Sequence, residues 1–281
     1  MSAVGIMQGR LSPARNGRLQ SFPVETWRDE FFRAREAGLA CLEWVYERMT
    51  ESDNPLRTDD GLAETQRLAK ETGVAVWSVC ADYYMTNRLI QSDGKLDAGG
   101  VEHLVWLVGR VGALPARHIV LPFVDASSLA TPREREGLAS LLEAVMPAAE
   151  AAGVELHLET DVPPADVVRL MGRSDHPLVR ITYDIGNSAA LDRDPVEELT
   201  ALRPWLGSVH VKDRAVGGGS VPLGRGAVDF PTCVRLIREA GFAGEWILQA
   251  AREDGVSEVA LAIRNRRFVE EHLAAAAGRL I

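Results

Sequence analysis

The amino-acid sequence predicts an α/β protein folded as a single-domain (β/α)8 barrel over residues 1–281. Three observations carry this. Short apolar strands alternate with longer helical patterns along the whole chain. Eight such units fit in 281 residues, close to the ~250 residues typical of the closed eightfold barrel. The stretch Leu206 to Phe230, LGSVHVKDRAVGGGSVPLGRGAVDF, passes from strand-formers straight into His210, Lys212, Asp213 and Arg214 and then a glycine-rich loop. Barrel strands present polar groups at their C-terminal ends in this way. The main rival is an open doubly wound sheet, but no Gly-x-Gly-x-x-Gly follows the first strand.

The elements follow in order. Val4 to Met7 is the first strand, ending in Gln8, Gly9 and Arg10. Trp27 to Ala37 is a helix stopped by Gly38. Cys41 to Val45 is the second strand and carries Glu43. Gly61 to Thr72 is helical, with Gly73 as its stop. Val74 to Cys80 is the third strand, ending at Ala81 and Asp82, and Val101 to Val111 is helical. Arg117 to Leu121 begins a fourth strand that runs into Pro122. Thr131-Pro132-Arg133-Glu134 is a capping box with proline at the first helical position, opening a helix to about Ala152. Val154 to Glu159 is the fifth strand and Pro164 to Met171 a helix. Val179 to Tyr183 is the sixth strand, running into Asp184. Asp194-Pro195-Val196-Glu197 starts another helix. Leu206 to Val211 is the seventh strand, and Asp229 to Ala240 a helix with Gly241 behind it. Glu245 to Gln249 is the eighth strand, and a last helix spans Val256 to about Ala275. The long irregular stretches Leu11 to Thr26 and Tyr83 to Gly100 follow strands 1 and 3. Both fall on the catalytic face of a barrel, where long loops shape a pocket.

The net charge of −9 repels a phosphate backbone, so we expect no nucleic-acid partner. No apolar run reaches transmembrane length, so we expect no membrane partner. Met1 to Arg10 lacks a basic start and apolar middle, and Cys41, Cys80 and Cys233 lie too far apart for metal-ligand spacing. Both features suggest a cytoplasmic protein with reduced thiols. A homo-oligomer stays open.

The last four strands end in Glu159, Asp184, His210 and Gln249. Adjacent strands lie ~4.8 Å apart, and barrel closure makes their inward side chains converge. Two carboxylates, an imidazole and an amide carbonyl suit a divalent ion such as Mn, Co, Mg or a catalytic Zn. Each residue alone has a duller reading. Asp184 would cap the next helix, His210 would be a hydrogen-bonded structural residue, and Glu159 would pair with an arginine. Four polar groups closing four consecutive strands outweigh these separately. His157 shares the inward parity of Glu159 and is equally a substrate contact or a satisfied core histidine. Lys212, Arg214, Arg225 and Arg252 fall at the expected mouth, where they would hold a phosphate or carboxylate, or simply be solvated.

The segments LHLETD, YDIGNSAA, SVHVKDR, VPLGRGAVDF and GEWILQ resemble the xylose-isomerase-like barrel family of sugar phosphate isomerases and epimerases. The pentulose-5-phosphate 3-epimerases are the nearest named group. GIMQGRLSP, which contains Gln8, resembles a branch of the same superfamily, and Gln8 and Glu43 are expected among the substrate contacts. The resemblance implies a metal held by Glu159, Asp184, His210 and the position of Gln249, with Asn187 touching substrate hydroxyls. It departs at Gln249, where the family has a second glutamate. An amide can offer its carbonyl to a metal but cannot act as a base.

Such a site suits proton abstraction beside a carbonyl, with Glu159 as base and the metal steadying an enediolate. The expected activity is isomerisation or epimerisation of a sugar or sugar phosphate. A second proton-transfer group, if needed, would come from His157, Glu43 or Lys212. The alternatives are a lyase, dehydratase or C-glycoside-cleaving enzyme on the same barrel, or a non-catalytic sugar-binding relative.

Overall fold

Every residue of β1 (Val4–Met7), β2 (Cys41–Val45) and β4 (His118–Phe123) is buried. Burial on both faces is the mark of parallel strands with side chains inside a barrel and helices outside. The computed structural model describes residues 3–114 and 116–278. The other ring strands are β3 (Ala75–Cys80), β5 (Glu155–Thr160), β6 (Val179–Asp184) and β7 (Leu206–Val211). After two short arms, β8 (Asp213–Arg214) and β9 (Ser220–Val221), the ring is completed by β10 (Trp246–Leu248). The closed order is β1-β10-β7-β6-β5-β4-β3-β2, and β8 pairs with β9 as a separate antiparallel hairpin.

Helices over 27–36, 59–72, 98–113, 132–152, 164–174, 195–202, 230–239 and 258–277 alternate with the ring strands. Their starts carry the expected chemistry. Thr131 and Glu134 form the capping box, and Asp194 and Asp229 cap the helices that follow them. The helix after β3 begins at Ala98, earlier than periodicity suggested, because Asp97 accepts the Gly100 N–H at 2.7 Å. The short helices 83–86 and 185–190 and the β8–β9 hairpin had no forecast. They are too short to show a period.

The lumen below the catalytic end is polar. His118 and His157 stack with centroids 3.9 Å apart. Gly207 makes room for them, since a Cβ there would come within 2.6 Å of the His157 ring. His157 Nδ1 meets Ser208 Oγ and its Nε2 meets Glu155 Oε2, both at 2.8 Å. Burial, with Arg180 and His210 nearby, pushes the His157 pKa down to about 3, so the ring is neutral.

The long loop after β1 is tied by two buried carboxylates. Glu47 accepts from Ser21 Oγ at 2.5 Å and from the Phe22 N–H at 2.9 Å. Glu30 accepts from the N–H groups of Gly9 at 2.8 Å and Leu11 at 3.1 Å. Burial outweighs these bonds and pushes the Glu30 pKa from 4.5 up to about 7. Between those two values the folded protein keeps a proton that the unfolded chain has lost. This group's contribution is therefore most favourable below about pH 4.5, declines as pH rises through the window, and levels off above about 7. The fall amounts to up to about 3 kcal/mol. Glu30→Gln should flatten that part of the stability curve, read by urea unfolding from about pH 5 to about pH 7.5. An unchanged slope would assign it to another group.

Candidate active site

The parallel register sets Asp184 of β6 beside His210 of β7. Glu159 joins them from β5. One oxygen of each acid and one ring nitrogen lie within 4.8 Å of one another. His210 Nδ1 is 3.6 Å from Glu159 Oε2 and 3.8 Å from Asp184 Oδ2. All three side chains are buried. The expected convergence of three strand ends is therefore present.

Asp184 serves two purposes. Its Oδ1 accepts the Asn187 N–H at 2.8 Å and caps the helix Ile185–Ala190. Its Oδ2 stays turned into the site, 2.7 Å from Lys212 Nζ. Gly186 permits this, because a Cβ there would lie 2.5 Å from Lys212 Cγ. Asn187 Nδ2 donates to Glu159 Oε1 at 2.8 Å, and Asn187 Oδ1 accepts from Arg214 at 2.8 Å. A chain Arg214–Asn187–Glu159 thus orients the carboxylate.

His210 Nδ1 is buried without an aligned hydrogen-bond partner, and Asp184 Oδ2 has only the Lys212 ammonium beside it. Such atoms are costly unless something binds them. Two carboxylates and an imidazole with an unpartnered ring nitrogen fit a divalent cation. On the far side of the ring, His210 Nε2 lies 2.8 Å from Glu43 Oε1, and Glu43 Oε2 accepts from Ser78 at 2.7 Å. Glu43 thus braces the histidine from below.

Burial raises the Glu159 pKa above the usual carboxylate range, helped by Asp184 and Asp82 and opposed by His210 and Lys212. A carboxyl poised in this way can both take and return a proton near neutral pH.

Gln249 has a defined setting. Its Oε1 accepts from Lys212 Nζ at 2.9 Å, and its Nε2 donates to Gln20 Oε1 at 2.9 Å. The same Gln20 donates to Asp82 Oδ2 at 2.6 Å and accepts from Arg10 at 3.2 Å. A cavity of about 480 Å³ opens above these groups, lined by Glu159, Asn187, Lys212, Arg214, Gln249 and Asp82 among others.

The other expected contacts lie elsewhere. Gln8 is fully buried, with its Oε1 accepting the Val45 N–H at 3.1 Å. Glu43 and His157 lie in the lumen, shut off from the cavity. Arg252 donates to the carbonyls of Ser12 at 2.7 Å and Gly9 at 2.5 Å. It lines a second hollow of about 270 Å³ that shares only Arg10 with the first. Arg225 is exposed and does not line the cavity.

A family model described as the xylose isomerase-like TIM barrel matches residues 31–272. The chain belongs to this family. It is 28% identical over 268 residues to L-ribulose-5-phosphate 3-epimerase UlaE of Shigella sonnei (strain Ss046), covering 90% of this chain and 92% of the relative. A solved L-ribulose 3-epimerase superposes with a TM-score of 0.75 at 18% identity, over 100% of this chain and 97% of that one. A xylose isomerase-like TIM barrel protein from Mycobacterium smegmatis, in complex with magnesium, gives 0.70 at 18% identity, over 98% of each chain. The two structural likenesses concern the fold.

Within this xylose isomerase-like barrel, sequence reasoning passed over Gln20, Asp82, Arg18 and Glu47, all of which line the cavity. Asp82 carried a usable signal. It follows the apolar strand β3 by two residues, much as Asp184 closes β6. Gln20 lies in an irregular loop and carried none.

Proposed function

We propose that this protein is a divalent-metal-dependent epimerase or isomerase of a ketose phosphate, with inversion at C3 as the favoured reaction. The observation that carries the reading is the buried set Glu159, Asp184 and His210, of which Glu159 lines a cavity of about 480 Å³. The likeness to an L-ribulose-5-phosphate 3-epimerase over 90% of the chain supports the choice of substrate.

Glu159, Asp184 and His210 would hold the metal. When bound, it supplies electrostatic polarisation of the substrate carbonyl, which makes the neighbouring C–H acidic. Gln249 would join them only if its oxygen left Lys212. Glu159 takes the proton from carbon, and Asn187 keeps its carboxylate aimed. Arg214 bonds Asn187 and the Gly218 carbonyl but no carboxylate among the described residues. Its charge therefore remains available to an anionic substrate, with Ser220 of the hairpin beside it in the cavity wall. Cys41, Cys80 and Cys233 are free and buried, which suits a reducing cytoplasm. No helix among the described residues is long and apolar enough to cross a membrane.

The test is a chelated protein titrated with Mn, Mg, Co and Zn and assayed on L-ribulose 5-phosphate and L-ribulose. Inversion should return with metal and favour the phosphorylated sugar. Glu159→Ala, Asp184→Ala and His210→Ala should each lower metal content after dialysis. Full metal stoichiometry in all three would remove the metal assignment.

A further inference from the structure

Inversion at one carbon needs a proton taken from one face and a proton delivered to the other. Gln249 cannot supply the second group, because an amide does not ionise near neutral pH. His157 and Glu43 have no access to the cavity. Lys212 is held between Asp184 Oδ2 at 2.7 Å and Gln249 Oε1 at 2.9 Å, with its charge already compensated. We infer that Asp82, at the end of β3, is the second proton-transfer residue of this site, working against Glu159 across the substrate carbon. The inference rests on the epimerase reading above.

Four observations point to it. Asp82 lines the same cavity as Glu159 and is partly exposed to it. In the ring order, β3 lies outside the β5–β7 arc that bears Glu159, Asp184 and His210, two strands from β5 and four from β7. Asp82 therefore reaches the shared cavity from a strand outside the triad's arc. Its partners are the Gln20 amide at 2.6 Å and the Cys80 thiol at 3.2 Å, with no cation in ion-pair contact among the described residues. A half-buried carboxyl on a cavity wall with no ion-pair partner is a candidate proton-transfer group. Burial, together with Glu47 and Glu43, also raises its proton affinity. Finally, Gln20 joins Asp82 to Gln249 directly. The strand-8 position thus contributes an amide that fixes the orientation of Gln20, and Gln20 in turn orients the Asp82 carboxyl.

The step balances. The C3–H bond breaks, its proton passes to the Glu159 carboxylate, and its electron pair enters the enediolate. The Asp82 carboxyl then gives its proton to the opposite face of C3. A new C–H bond forms as the electrons return to carbon, and Asp82 is left as carboxylate. Exchange with solvent through the open cavity restores both groups. For the reverse reaction the roles swap.

The test uses Asp82→Asn, which keeps the side-chain shape, on metal-loaded protein in deuterated water. The probes are L-ribulose 5-phosphate and its C3 epimer, supplied separately. Wild type should invert both and place deuterium at C3. The variant should invert roughly 100-fold more slowly in both directions. It should still exchange C3–H for deuterium, with retention, from the one epimer whose C3–H faces Glu159, and not from the other. Exchange from one epimer also shows that the variant is folded and loaded. Inversion within threefold of wild type would overturn the role of Asp82, and so would equal loss of exchange from both epimers. A wild type that exchanges C3–H in neither sugar would instead overturn the epimerase reading, and the Asp82 assignment with it.

Discussion

Glu159→Gln is expected to lower turnover by roughly 10³-fold while leaving the fold intact or slightly firmer. The amide matches the carboxylate in volume. Its oxygen can keep the bond from Asn187 Nδ2, now 2.8 Å long. What disappears is the capacity to accept a proton from carbon. The Glu159 pKa is raised, chiefly by burial. A raised acid pKa means that the ionised form is penalised on folding. Its contribution therefore becomes less favourable as pH rises from the usual carboxylate range towards neutrality. In the metal-free protein, removing the charge should not reduce the melting temperature at pH 7, and a small rise is expected. This is the usual trade between a strained active site and stability. Steady-state rates, C3–H exchange and thermal unfolding of the variant provide the check. A variant that still exchanges C3–H at the wild-type rate would show that Glu159 is not the base.

The barrel was readable because apolar runs and helical periods alternate without interruption. The convergence of Glu159, Asp184 and His210 was readable because polar groups ending adjacent buried strands have few other uses. Depth was not readable. His157 has the same parity as Glu159, and both point inward. Two residues along a strand correspond to roughly 6.6 Å of height. That difference puts one group at the cavity and the other in the lumen beside His118. Parity tells the face of a strand and not the layer of the barrel.

The mouth was less legible still, because loop folding decides which way a cation points. Arg225 sits in a loop pinned by Asp213, which accepts from the N–H groups of Gly226 at 2.8 Å and Val228 at 3.2 Å. That anchoring leaves Arg225 in solvent. Arg252 is turned back onto the carbonyls of Gly9 and Ser12. Both are long-range contacts that no local pattern encodes. Gln20 and Asp82 meet for the same reason, 62 positions apart in the chain.

Gln249→Glu is expected to tighten metal binding and yet slow the enzyme by roughly 100-fold, because the surrounding network requires an amide. Gln20 Oε1 receives the Gln249 Nε2 bond at 2.9 Å and the Arg10 bond at 3.2 Å, while Gln20 Nε2 donates to Asp82 at 2.6 Å. A carboxylate at 249 would place oxygen against oxygen at Gln20. Turning the Gln20 amide over would relieve that contact. It would also face its NH₂ towards Arg10 and its carbonyl towards Asp82. Each buried polar group left unmatched costs about 1–3 kcal/mol. The added charge would further draw Lys212 away from Asp184 Oδ2 and leave that oxygen to the metal. Stability should therefore drop by about 2 kcal/mol. Calorimetry for the metal, urea unfolding and turnover measure the three effects. The decisive comparison is a double-mutant cycle with Gln20→Ala. If the penalty acts through Gln20, the Gln249→Glu cost should shrink by about 1 kcal/mol or more once Gln20 is gone. Costs that add within about 0.3 kcal/mol would place its origin at Lys212 or the metal set.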